Sequence, residues 1–270
     1  MIKINQREFH TLIKYIKKYY GIDLIKKKNL IEGRLSNVIV NKGFDNFSDY
    51  LDFVDKDKSG KEATYLIDKL TTNHTYFMRE EKHYEFMENS ILPYFEQNIK
   101  DRDLRIWSAG CSSGEEPYTT AILLREYFNN NFVNWDSKIL ATDISNTALN
   151  TALEGVYSET TLSKLPNIWK SKYFKKIGLN KYRISDEIRR EVIFRKFNLM
   201  SENFPFKKKF HLIFCRNVMI YFDRKTKNEL INKYYDNTVD GGYLFIGHSE
   251  SIPRDETRYK YVLPSIYRKV

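Results

Sequence analysis

Residues 104–143, LRIWSAGCSSGEEPYTTAILLREYFNNNFVNWDSKILATD, constrain the possible folds of this 270-residue chain more than any other stretch. An apolar run over 104–107 meets a turn of small residues at 108–114. Glu115-Glu116-Pro117 then opens a predicted helix, and a second apolar run ends in Asp143. This is the strand–turn–helix–strand–acid order of a nucleoside-binding α/β unit. Gly110 and Gly114 let the backbone approach a ligand with no Cβ in the way. Pro117 suits a first helical turn, where its missing N–H costs nothing. An acid at the tip of the second strand can accept hydrogen bonds from both ribose hydroxyls. The plainer alternative is a ligand-free turn, with Asp143 leading into a helix at Ser145-Asn146.

Charge discriminates among nucleosides. A dinucleotide site wants G-x-G-x-x-G and a helix N-terminus facing a pyrophosphate. Here Glu115 and Glu116 occupy that helix start, where they would repel an anion and attract a cation. Asp143 also lies 33 residues beyond Gly110, further than the roughly 20 of the dinucleotide fingerprint. S-adenosylmethionine (SAM) has a ribose, no phosphate, and both an ammonium and a sulfonium. The pattern favours SAM over NAD or ATP, with Glu116 facing the ammonium, Glu115 as its alternate, and Asp143 on the ribose.

The segments LTTNHTYFMRE (70–80), RIWSAGCSSGEEPYTTA (105–121), ATDIS (141–145), FRKFNL (194–199), FHLIFCRNVMIYFD (210–223) and GGYLFIGHSES (241–251) follow one another as they do in CheR-type chemotaxis methyltransferases. The chain resembles that family over most of its length. The resemblance implies an enzyme that uses SAM to methylate glutamate side chains of bacterial chemoreceptors. It implies a Rossmann-like SAM-dependent methyltransferase domain over 73–270, an all-helical receptor-docking domain over 1–72, and a small antiparallel β insertion at about 172–196. In some members that insertion grips a receptor's C-terminal peptide, and for this chain the role stays open. The resemblance maps Asn73, Thr75 and Arg79 to cofactor or active-site contacts, and Asn198-Leu199 to the adenine. His74 stands where an apolar residue is expected and is taken as a substituted packing position.

The chemistry asks little of the protein. A glutamate carboxylate with a pKa near 4.3 is already the nucleophile at neutral pH, so no general base is needed. An anion and a sulfonium become an ester and a thioether, and charge disappears toward the transition state. The enzyme should align the reacting atoms and exclude water. Arg79 is the leading candidate for a modest orienting contact with the substrate carboxylate. Tyr221 could share that task through its hydroxyl, although a core aromatic is the simpler reading in a chain with 20 tyrosines. Arg216-Asn217 ends another apolar run, and loops after strands line the crevice of open α/β sheets.

Hydrophobic periodicity predicts helices over 5–20, 27–42, 46–55 and 61–70, with Gly33 a weak spot and Gly43 a stop. Beyond residue 74 helix and strand signals alternate, which predicts a mostly parallel sheet. Its strands are expected at 104–108, 138–142, 192–197, 210–214 and 242–247, with a C-terminal pair around 260–269. No apolar run reaches the roughly 18–20 residues of a membrane span, and the charged N-terminus does not read as a signal peptide. Cys111 and Cys215 read as buried thiols of a reducing cytosol, and five scattered histidines suggest no metal site.

The net charge is +10. Residues 1–44 hold ten Lys/Arg against three Asp/Glu, whereas 45–70 hold four against seven. The clusters Lys17-Lys18 and Lys26-Lys27-Lys28 read as a patch for an acidic partner, with a solvated surface as the plainer alternative. A nucleic-acid methyltransferase would also suit the charge. Against it, no D/N-P-P-Y/F motif is present, and Cys215 follows Phe214 where a C5-cytosine enzyme needs cysteine after proline. A non-catalytic SAM-sensing adaptor is opposed by the full set Arg79, Asp143, Asn198 and Tyr221. The expected protein is a cytoplasmic monomer that acts on chemoreceptor helices without nucleic acid or membrane insertion.

Overall fold

The computed structural model describes residues 2–71 and 73–270, with only the backbone of Asn130. Thr72, at the expected domain boundary, lies outside the described residues. The chain opens with four helices, α1 (Gln6–Tyr20), α2 (Lys28–Asn41), α3 (Phe47–Lys56) and α4 (Lys61–Leu70). Asn5 starts α1 by accepting the Glu8 N–H at 2.9 Å, while the Glu8 carboxylate accepts the Asn5 N–H at 2.9 Å. This reciprocal cap satisfies two otherwise orphaned donors. Phe9, Leu12 and Ile16 form its buried stripe. Gly21, at φ 72°, ends it in the left-handed region that glycine adopts without strain. Gly33 interrupts nothing in α2. The Arg34 guanidinium donates to the Leu70 and Thr71 carbonyls at 2.7 and 3.0 Å, which fastens the end of α4.

The rest of the chain builds the α/β layer. In order follow α5 (Lys82–Phe86), α6 (Leu92–Asn98), β1 (Ile106–Ala109), α7 (Glu115–Phe128), β2 (Ile139–Asp143), α8 (Asn146–Glu154), β3 (Val156–Ser158), α9 (Asn167–Tyr173), β4 (Phe174–Gly178), β5 (Lys181–Ile184), α10 (Asp186–Arg189), β6 (Val192–Lys196), β7 (Phe210–Cys215), α11 (Arg224–Asp236), β8 (Thr238–Ile246), β9 (Lys260–Leu263) and β10 (Ile266–Arg268). Seven strands form one sheet in the order β6-β2-β1-β7-β8-β10-β9. The first five are parallel, and β10 runs antiparallel to both its neighbours.

Strand alternation feeds two cores. Leu212, Phe214 and Phe245 pack against α6 and α7, whereas Trp107, Ile213, Cys215, Leu244 and Ile246 join α11 and the N-terminal helices. Both faces are therefore covered, and the central strands read as near-continuous apolar runs. Among the described residues, no helix is long and apolar enough to cross a membrane.

The small antiparallel sheet differs from the expectation in extent. It runs β3-β5-β4, so its first strand lies at Val156–Ser158, well before residue 172. Residues Val192–Lys196, expected both as a strand of the parallel sheet and as the end of the insertion, belong to the former: they pair in parallel with β2 as the edge of the main sheet. An edge strand with one face toward solvent alternates in the same way as a strand of a small hairpin.

Candidate active site

Connections leave β1 in one direction toward β2 and leave β7 in the other toward β8, so the order reverses between β1 and β7. A crevice opens at the C-terminal ends of the strands at such a reversal. Here it is a cavity of ≈ 1020 Å³ counted out to its open mouth.

The expected residues come to it from separate elements. Gly110 and Glu116 arrive after β1, Asp143 at the tip of β2, Asn198 and Leu199 after β6, and Arg216, Asn217 and Tyr221 after β7. Asn73, Thr75 and Arg79 enter from the segment linking the two halves of the chain. The ten candidate site residues and Gly110 all line one cavity. Gly110 has φ +93°, and a Cβ there would lie 2.4 Å from Val218 Cγ2, so the turn requires glycine.

Asp143 is buried at 9% exposure. Its oxygens accept the Ser112 N–H at 2.7 Å and the Ser145 N–H at 2.9 Å. Burial pushes its carboxyl up, and those backbone donors pull it back. It does not itself cap α8, because Ser145 does so by accepting the Ala148 N–H at 3.0 Å.

Glu116 accepts the Ser108 hydroxyl at 2.6 Å and the Arg216 guanidinium at 3.1 Å. Arg216 also reaches Glu80 and the Tyr84 hydroxyl, both at 3.1 Å, and the Arg79 carbonyl. Burial opposes its charge, but Tyr84, Glu116 and Glu80 together hold the guanidinium well above its ordinary pKa. One buried cation between two carboxylates leaves that wall with no excess positive charge for a phosphate.

This cavity suits SAM. Asn217 Oδ1 is buried without a hydrogen-bond donor, and an ammonium would supply one. Asp143 retains lone pairs for ribose hydroxyls. Phe197 and Leu199 offer apolar surface for a base. The Asn198 amide is partly committed, donating to the Tyr19 carbonyl at 2.7 Å and accepting the Met200 N–H at 2.9 Å, so one N–H and one lone pair remain for a ligand.

The family model for the CheR methyltransferase SAM binding domain matches residues 73–267, and that for the CheR methyltransferase all-alpha domain matches residues 7–71. The chain belongs to the CheR methyltransferase family. It is a methyltransferase whose cofactor is SAM. It is 49% identical over 272 residues to the chemotaxis protein methyltransferase of Borreliella burgdorferi, covering 99% of this chain and 96% of that one. It is 34% identical over 256 residues to a probable chemotaxis protein methyltransferase of Rhizobium etli, covering 90% and 95%. To the chemotaxis protein methyltransferase of Escherichia coli it is 29% identical over 271 residues, covering 98% and 92%.

Several features of this CheR site carry no signal in the sequence. Tyr20 and Ile22, from the N-terminal helical segment, form part of the cavity wall. Ile22 bridges to Phe222, and the Asp23 N–H donates to the Tyr221 carbonyl at 2.8 Å. His74 is not a packing position: it is exposed at the mouth, and its carbonyl accepts Arg79 at 2.8 Å, so a polar residue costs nothing there. Lys17, exposed on α1, already pairs with Asp223 at 2.6 Å. Glu80, His83 and His248 bring their ligand-type atoms within 4.8 Å of one another, a cluster that two distant segments conceal. Arg216 already neutralises its carboxylate, and burial holds His83 uncharged, with its pKa lowered to about 3.

Glu115 turns away from the cavity and accepts the Ser113 hydroxyl at 2.7 Å. Burial raises its carboxyl from 4.5 to about 6. The unfolded chain thus ionises Glu115 at a lower pH than the folded one. Stability contributed by the protonated form is complete below pH 4.5 and lost as pH rises through 6. Glu115→Gln should therefore be about 2 kcal/mol more stable than the parent at pH 7.5. The gap should vanish below pH 4.5 in denaturant titrations, and affinity for S-adenosylhomocysteine (SAH) should be unaltered.

Proposed function

We propose that this chain transfers the SAM methyl group to glutamate side chains on the cytoplasmic helices of bacterial chemoreceptors, giving glutamate methyl esters and SAH. The observation that carries the reading is the convergence of ten residues from separate motifs on one cavity whose polar groups suit an ammonium and a ribose. Bound SAM supplies an electrophilic methyl on a sulfonium. The protein's own groups bind, orient and exclude water. Asp143 holds the ribose, Glu116 and Asn217 hold the ammonium end, and Asn198 and Leu199 hold the adenine.

Arg79 and Tyr221 line the same cavity, both half-buried, and together could offer a carboxylate one guanidinium and one hydroxyl. The arginine is half-buried, anchored to the His74 carbonyl and placed over the Tyr76 ring at 5.9 Å. Partial solvation keeps its grip on the carboxylate modest, as a reaction that consumes the anion's charge requires.

The exposed Lys26 and Lys27, with half-buried Lys28, follow directly on the segment that lines the mouth, beside exposed Ile25. An acidic amphipathic helix could seat its glutamates on this strip. We read the protein as a cytoplasmic monomer acting on receptor rather than on nucleic acid. Its two buried free cysteines agree with a reducing compartment.

Incubation with methyl-labelled SAM and separate receptor, DNA and RNA samples tests the reading. Label should enter receptor alone and be released as methanol by mild alkali, as an ester requires. Label in nucleic acid, or alkali-stable label in receptor, would overturn it. Replacing Lys26, Lys27 and Lys28 by Gln should raise the KM for receptor and leave SAH affinity unchanged. The parent's activity on receptor should fall with salt, since exposed charges are screened over about 8 Å at physiological ionic strength. Receptor kinetics indifferent to both changes would reduce the lysines to a solvated face.

A further inference from the structure

Glu250 has no part in the chemistry above, yet the loops that carry that chemistry meet on it. It is 8% exposed. Its carboxylate accepts three backbone N–H groups, those of Asn217 at 3.0 Å, Ile220 at 3.0 Å and Gly247 at 2.6 Å. Its own N–H returns to the Gly247 carbonyl at 2.9 Å. The three donors belong to two segments, the turn after β7 and the residue after β8. Neither segment offers them ladder partners, and a buried N–H left unpaired is costly. Only an ionised carboxylate presents enough acceptor sites, and no donor, to satisfy all three.

The turn needs such an anchor. Asn217 has φ +58°, in the left-handed region that side-chain-bearing residues rarely adopt. Gly247 packs so close that a Cβ there would lie 2.5 Å from Asn217 Nδ2 and 2.8 Å from the Asn217 backbone nitrogen. The Asn217 amide faces the cavity on one side of the anchored turn, and Tyr221 follows Ile220 on the other.

We propose that Glu250 is a positioning residue for methyl transfer: its carboxylate clamps the turn between Asn217 and Tyr221 to the end of β8 and so sets both side chains. This rests on the reading that Asn217 contacts the cofactor and Tyr221 the substrate. Glu250→Gln keeps the size but turns one acceptor oxygen into a donor facing N–H groups. It should weaken SAH binding about tenfold in calorimetry, at unchanged one-to-one stoichiometry, and lower kcat on receptor by a similar factor.

In an Asn217→Ala background the same change should weaken SAH binding less than threefold, because the route runs through Asn217. Thr238→Val, which breaks the buried Thr238–Tyr259 hydroxyl pair at 2.6 Å on the far end of β8, provides a control for lost stability and should leave both constants unaltered. Wild-type values for Glu250→Gln, losses that simply add to those of Asn217→Ala, or equal losses in Thr238→Val would each overturn the proposal. If Glu250→Gln does not fold, Gly247→Ala presses on Asn217 from the other side and should reproduce the tenfold loss; unaltered binding and turnover there would also overturn it. An Asn217→Ala variant with wild-type SAH affinity would overturn the cofactor reading itself, and the proposal with it.

Discussion

Replacing Arg79 with alanine is expected to cut turnover on receptor on the order of 10²-fold while leaving SAH affinity within a few-fold of the parent. The asymmetry follows from where the side chain stands. Its guanidinium is fixed at the mouth by the His74 carbonyl at 2.8 Å, with no carboxylate partner among the described residues, whereas Glu116 and Asp143 lie deeper among donors. Removing it frees the incoming glutamate to rotate away from the line of attack, which is a cost in geometry rather than in cofactor binding. Lysine should rescue poorly, because a point charge on a flexible stem cannot present a planar fork to a carboxylate. Steady-state kinetics on receptor, with calorimetry on SAH, separates the two effects. Full activity in Arg79→Lys would leave only a general electrostatic role.

Asp143→Ala should produce the opposite split. Two ribose hydroxyls would each lose a charge-assisted acceptor worth about 1.5–3 kcal/mol, so SAH affinity should fall by at least tenfold. The Ser112 and Ser145 N–H groups would also lose their partner, and the glycine-bearing turn would loosen around the ligand. Asp143→Asn, which keeps one acceptor oxygen, should fall between the two. Calorimetry on variants with parent-like unfolding midpoints checks this, and unchanged affinity would remove Asp143 from the site.

The fold was legible where local chemistry and tertiary burial agree. Asn5 and Asn46 cap helices whose apolar stripes face a core, and the ends of α1 and α3 lie within a residue or so of those read from the sequence. The central strands were legible because both faces are buried. Strand β3 was not, since three residues form no pattern of their own and their partner strand β5 lies more than 20 residues away in the sequence. At the site, the nucleoside unit declared itself through glycine spacing and the two acids that follow it. The choice between those acids depended on which way the first turn of α7 faces, and only Glu116 reaches the cavity. The Lys17–Asp223 pair was not legible because its two residues are more than 200 positions apart in the sequence. The Glu80–Arg216–Glu116 chain and the grip of Glu250 are likewise assembled by the sheet, and periodicity does not encode them.

The strand-like bridge from Ile22 to Phe222 and the Asp23–Tyr221 hydrogen bond tie the first segment of the chain, proposed above to dock the partner, into the cavity wall. On that proposal, recognition and catalysis in this enzyme are not interchangeable modules. Grafting the leading helices of a relative onto this body, to redirect it toward another receptor, would also import foreign side chains at Tyr20 and Ile22 and a foreign strut beneath Tyr221. Any lineage that changes receptors by altering this segment must keep those few positions compatible with the distant turn after β7. The segment can therefore diverge freely over its solvent-facing lysines, but not along the seam where it touches the chamber.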